Sequence, residues 1–132
     1  MPAANFPEYV RELQTTLNEA SALGAVEVTT LQVDQRSALR GLVTGSLQFG
    51  DGSTLHFREF VDLSQAEPKL TYAYHYQTAA AVLIFRYDNA THRPPLSQAA
   101  HKHMLTGIEV SSIPTLREIV DQILQLTSRG NE

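Results

Sequence analysis

TLHFREFVDL, residues 54–63, alternates residue by residue: Leu55, Phe57 and Val61 fall on one side, His56, Arg58 and Asp62 on the other. That period of two is the mark of a half-buried strand. The preceding Gly50-Asp51-Gly52-Ser53 accepts the positive φ that tight hairpin turns need, so the strand folds back on residues 38–49. There Leu39, Val43, Leu47 and Phe49 share one parity. Upstream, AVEVTTLQV (25–33) is rich in β-branched residues, and Asp34-Gln35-Arg36-Ser37 reads as a turn. Downstream, a loop around Glu67-Pro68 leads into LTYAYHYQ (70–77), with Leu70, Tyr72, Tyr74 and Tyr76 on one parity. AAVLIFRYD (80–88) is the most apolar strand and is expected at the centre of the sheet. HKHMLTGIEVSS (101–112) reads as a last strand. Short connections and clean alternation predict an antiparallel meander.

Two helices flank these strands. Asn5, Pro7 and Glu8 supply a cap, a first-turn proline and a capping-box spacing. Phe6, Val10, Leu13, Leu17 and Ala20 then recur at helical steps, and Gly24 stops a helix over about 7–22. Thr115 and Glu118 repeat the capping spacing before Leu116, Ile119, Val120, Ile123 and Leu126, a helix over about 115–128. The expected fold is α+β, one domain over 1–132. It has an N-terminal helix, an antiparallel sheet of five or six strands and a C-terminal helix, in a two-layer sandwich. With both helices on one sheet face, the other face is left for polar side chains and a site.

The composition agrees with a globular domain, at 42% hydrophobic residues. No stretch approaches the roughly 18 apolar residues of a membrane span, and the N-terminus lacks the pattern of a signal peptide. The expectation is a cytoplasmic protein with no membrane association. Zero cysteines exclude disulfides, thiolate metal sites and cysteine nucleophiles. The net charge of −4 argues against a general nucleic-acid binder. Residues 56–103, however, carry five Arg/Lys against four acids and hold all five histidines. Glycine-rich phosphate loops, G-x-S-x-G elbows and HExxH helices are absent.

Four groupings in that middle third carry chemistry. His101 and His103 share a strand face with Lys102 opposite, suiting an acid–base pair, a metal or simple surface decoration. Arg86 ends the most apolar strand and needs a partner: Asp88 of the same parity, or Glu59. Glu59 itself lies on the apolar parity of its strand, so it needs a cation, such as Arg86, or hydrogen-bond donors, unless it guards the strand against edge pairing. The stripe of Tyr72, Tyr74 and Tyr76 is core or interface more often than catalytic, with His75 opposite it. The dozen residues 89–100, containing His92, form a loop of a length often reserved for function.

In order along the chain, L-x-F-x-E-F (55–60), Y-x-Y-H (72–75), F-R-Y-D-N-A-x-H (85–92) and H-K-H (101–103) resemble the TumE family of toxins from prokaryotic toxin–antitoxin pairs. The resemblance covers about 55–113. It departs from the family pattern at Thr91, Arg93 and Ala99-Ala100, where prolines and further histidines often stand. It implies a small cytoplasmic toxin paired with a DNA-binding antitoxin. The chemistry leaves three readings open. In the first, a metal-independent endoribonuclease with no cofactor uses His101, His103 and His92 as acid and base on RNA. Arg86, Asp88 and Lys102 complete its charge array, and Arg58, Tyr87, His75 and Glu59 contact substrate. In the second, Asp88, His92, His101 and His103 hold a divalent metal in a hydrolase or nuclease. In the third, the tyrosine-lined sheet is a non-catalytic binding module. Exposed sheet edges also allow a homodimer.

Overall fold

The structure, a computed structural model, describes residues 3–89, 100–104 and 107–129. Helix α1 (Phe6–Ala22) opens the chain. Strands β1 (Val26–Gln35), β2 (Arg40–Phe49), β3 (Thr54–Asp62), β4 (Lys69–Gln77), β5 (Leu83–Asp88), β6 (His101–Met104) and β7 (Gly107–Val110) follow, and α2 (Leu116–Arg129) closes it. The strands form one antiparallel sheet in chain order. The α+β class, with helix, antiparallel sheet and helix in sequence, is as the sequence reads.

The helix ends follow the local chemistry. Asn5 accepts the Glu8 N–H at 3.0 Å, Glu8 accepts the Ala4 N–H at 2.8 Å, and Gly24 takes φ +78 beyond the C-cap. At α2, Thr115 Oγ1 accepts the Glu118 N–H at 3.1 Å while Glu118 accepts the Thr115 N–H at 3.3 Å. The β2–β3 hairpin turns through Gly52 at φ +86, a conformation a Cβ would strain.

The sheet departs from the sequence reading in four places. The segment 101–112 is two short strands, β6 and β7, paired to each other. β1 runs on through Asp34 and Gln35, which pair with Leu42 and Gly41 instead of turning. β5 is fifth of seven rather than central, and it begins only at Leu83. The residues before it form a turn with Ala81 at φ 66 and leave Val82 48% exposed. An apolar run records burial appetite, which a turn beside a core can partly share.

The fourth departure is a slip in register. Phe60 pairs with Thr71, but Val61 pairs with Lys69, so Leu70 drops out of the alternation and is 37% exposed. Lys69 takes the inward place that Leu70 was expected to hold. Re-aiming a side chain is what bulges do.

One sheet face carries Val43, Leu47, Phe49, Leu55, Phe57, Val61, Tyr72, Tyr74, Tyr76 and Phe85, all buried. Against it lie Phe6, Leu13, Leu17 and Ala20 of α1, and Leu116, Ile119, Val120 and Ile123 of α2. Phe6 sits so close to Gly41 that a Cβ there would run into its ring. Tyr76 meets Phe85 at 5.2 Å and Phe49 edge-on at 5.8 Å, and its hydroxyl bonds Ser53 Oγ at 2.7 Å. Burying such rings contributes about 1.5–3 kcal/mol each. The helices thus seal one face, and among the described residues no helix covers the opposite face.

Candidate functional site

Register alone assembles a polar row on the open face. Ser46 of β2 stands opposite His56 of β3, His56 opposite His75 of β4, His75 opposite Arg86 of β5, and Arg86 opposite His103 of β6. Cross-strand neighbours lie about 4.5–5.5 Å apart, so five strands bring together residues up to 57 positions distant in sequence. A second row runs beside it: Thr44, Arg58, Ala73, Asp88 and His101.

Hydrogen bonds tie the rows into one array. Arg86 Nε donates to Asp88 Oδ2 at 2.7 Å, and His103 Nε2 reaches Asp88 Oδ1 at 3.3 Å. The Asp88 side chain is only 6% exposed. A buried carboxylate needs such donors, and it fixes the orientation of both in return. On the other side, an Arg86 guanidinium N–H donates to His75 Nδ1 at 3.3 Å, which leaves the proton on Nε2 to donate to Gln77 Oε1 at 3.0 Å. Burial pushes the His75 pKa below the ordinary imidazole value. The Gln77 bond works against that shift, and the charges of Arg86 and His56 add to it. Ser46 Oγ bonds His56 Nδ1 at 2.9 Å.

The structure brings together five of the residues singled out from sequence: Arg58, His75, Arg86, Asp88 and His103. His101 lies in register with Asp88, its side chain outside the described residues, and His92 lies outside them altogether. Of the residues proposed as metal ligands, Asp88 and His103 therefore meet directly.

Three other candidates stand on the helix-covered face, because their parity is opposite to that of Arg86. Tyr87 donates to Gln122 Oε1 of α2 at 3.1 Å. Lys102 lies over the Tyr87 and Phe85 rings, 5.0 and 5.5 Å from their centroids. Glu59, 0% exposed, does not meet Arg86 as the sequence suggested. Its oxygens accept from the Tyr9 hydroxyl and, at 2.6 Å, from the Tyr74 hydroxyl, while Lys69 Nζ lies 3.8 Å away. Lys69 also donates to Tyr74 Oη at 2.5 Å and to the Pro114 carbonyl at 2.6 Å, tying β4 to the start of α2. Burial lowers the Lys69 pKa and raises those of Tyr9 and Tyr74, the neighbouring Glu59 charge adding to both tyrosine shifts.

Sequence reasoning missed Ser46, His56 and Gln77 as members of the array. The signal for His56 was its polar parity on β3, but only strand register places it beside His75.

The sheet residues that compose this face and the core behind it fall within one family match. The family model described as Toxin TumE matches residues 13–129, from the middle of α1 to the end of α2. No curated protein and no solved structure matches the chain. Among the described residues no helix is long and apolar enough to cross a membrane. A toxin of such a pair implies an antitoxin partner. Because the match takes in every strand of the sheet and spans most of the chain, beyond the four motifs, the chain belongs to the TumE toxin family.

Proposed function

We propose that this toxin is a metal-independent ribonuclease whose active site is the open-face array, acting on cytoplasmic RNA and restrained by a DNA-binding antitoxin. The observation that supports it is the placement of His75 and His103 on either side of Arg86, on three consecutive strands, with Asp88 holding Arg86 and His103 together. Two strand spacings put the imidazole-bearing backbones about 10 Å apart. A phosphodiester fits between two such rings with the guanidinium beneath it.

In this reading a phosphate draws Arg86 away from His75 Nδ1, and the exposed lone pair takes the proton of the ribose 2′-OH. Burial keeps His75 neutral for that role. The 2′-oxygen attacks phosphorus and the bond to the 5′-oxygen breaks. His103, oriented by Asp88, gives that oxygen a proton, and Arg86 holds the charge on the non-bridging oxygens. The products are a 2′,3′-cyclic phosphate and a 5′-hydroxyl. His101, in the adjacent row, is the alternative donor.

The test is cleavage of RNA by the purified protein in excess EDTA, beside His75→Asn, His101→Asn and His103→Asn. The expected result is cyclic phosphate ends, no cleavage where the 2′-hydroxyl is missing, and a loss of about 10²–10⁴-fold in His75→Asn and in His103→Asn. Cleavage that EDTA abolishes would transfer the chemistry to a metal held by Asp88 and His103. No cleavage by a folded protein under any condition would refute the ribonuclease.

A further inference from the structure

The open face continues beyond the array. Along β3, Arg58 and then Phe60 follow His56 at steps of about 7 Å on the same side of the sheet. Phe60 stands opposite Leu42, and Arg58 opposite Thr44. Next to them lies a hollow of about 450 Å³ whose lining includes Gln32, Asp34, Leu42 and Thr44. The guanidinium carbons of Arg36 and Arg40 lie 5.7 and 5.6 Å from the centroid of the Phe60 ring. Arg36 is held by Asp34 at 3.1 Å and Arg40 by Asp62 at 3.4 Å. Between Arg58 and Asp88 the register places only Ala73, so the second row has a low floor leading from the hollow to the catalytic array.

An aromatic ring framed by arginines, an amide and a carboxylate in a shallow hollow, and an exposed arginine on the way to a phosphate site match the needs of one unstacked nucleotide. The ring and guanidinium planes stack a base, Gln32 and Thr44 offer donors and acceptors to its edge, and Arg58 meets its phosphate. We propose that this corner of the sheet is a single-stranded RNA subsite that seats a base about two nucleotides from the scissile phosphate, since Phe60 lies two strands and two same-side steps from Arg86. The proposal deepens the ribonuclease reading and rests on it for the direction of the strand.

The test uses binding, so that it does not depend on cleavage. A short, labelled, fully 2′-O-methylated oligonucleotide lacks the internal nucleophile, and its affinity is read by fluorescence anisotropy across a salt series with EDTA present. Wild type is expected to bind, Phe60→Ala to bind about tenfold more weakly, and Phe60→Trp to retain affinity. Arg58→Ala is expected to lower the slope of log K against log salt by about 0.7. Arg58 and Gln32 are exposed, so Arg58→Ala and Gln32→Ala keep the test open should Phe60→Ala fold poorly. If wild type does not bind, or if Arg58→Ala and Gln32→Ala both bind as wild type does, the subsite is refuted. Loss of antitoxin binding in these variants with unchanged oligonucleotide affinity would reassign the corner to the antitoxin and also refute it. Binding through Phe60 without cleavage of unmodified RNA would keep the subsite and refute the ribonuclease. Cleavage with KM unchanged in the Arg58 and Gln32 variants would do the reverse.

Discussion

His75 shows how one residue's surroundings choose its chemistry. Its ring is drawn into the sheet surface between Arg86, His56 and Gln77, and burial leads the causes that lower its pKa. In the unfolded chain the same imidazole titrates near pH 6.5. Below that pH the unfolded state therefore binds more protons than the folded one, and stability is lost as the pH falls through about 6.5 and on to the lower native value. Above it the contribution is level. Urea midpoints measured against pH are expected to fall on the acid side in wild type, and to fall less steeply in His75→Gln. An identical slope in both proteins would contradict the burial argument. The sequence carries His75 on the parity opposite the tyrosines, which is correct, but burial and an arginine facing it from the neighbouring strand are not written in a period of two.

At the scale of elements, the slip between β3 and β4 decides more than any single residue. It turns Leu70 outward and brings Lys69 inward, where it meets Glu59, Tyr74 and the carbonyl that precedes α2. Capping chemistry at Asn5 and Thr115 was legible because it depends on residues three or four apart. The slip was not, because Lys69-Leu70 reads equally well in either register. Removing one partner of a buried charged pair leaves the other without compensation, at a cost of about 3–5 kcal/mol. Lys69→Met is accordingly expected to lower the stability by about that amount in urea unfolding with an unchanged m value. A loss under about 1 kcal/mol would show that the tyrosine hydroxyls alone satisfy Glu59. The same network leaves the Tyr72 hydroxyl buried with no hydrogen-bond partner among the described residues, its pKa pushed up to about 12 by burial and by the Asp88 and Glu67 charges.

Across the whole molecule the sheet separates stability from function. Its helix-side face holds the core and the Glu59 network, and its open face holds His56, His75, His103, Arg86 and Asp88. Substitutions on the two faces are expected to part company in a growth assay of the expressed toxin. His103→Asn should relieve growth inhibition with the thermal midpoint within a few degrees of wild type, because a partly exposed ring contributes little to folding. Tyr74→Ala should relieve it only through unfolding, seen as a loss of the cooperative transition, since it empties a fully buried site. Equal loss of stability in both would mean that the open face is structural. By itself the sequence determined the two helices with their caps, the alternation of most strands, the antiparallel order and the family. All of these depend on neighbours within a few residues or on motifs in linear order. Only the tertiary structure decided that Glu59 faces Lys69 rather than Arg86, that Tyr87 and Lys102 face the helices, and that Ser46 and His56 join His75, Arg86 and His103. Those outcomes depend on the offset between strands, and bulges and turns can change that offset by one residue without disturbing the pattern along either strand.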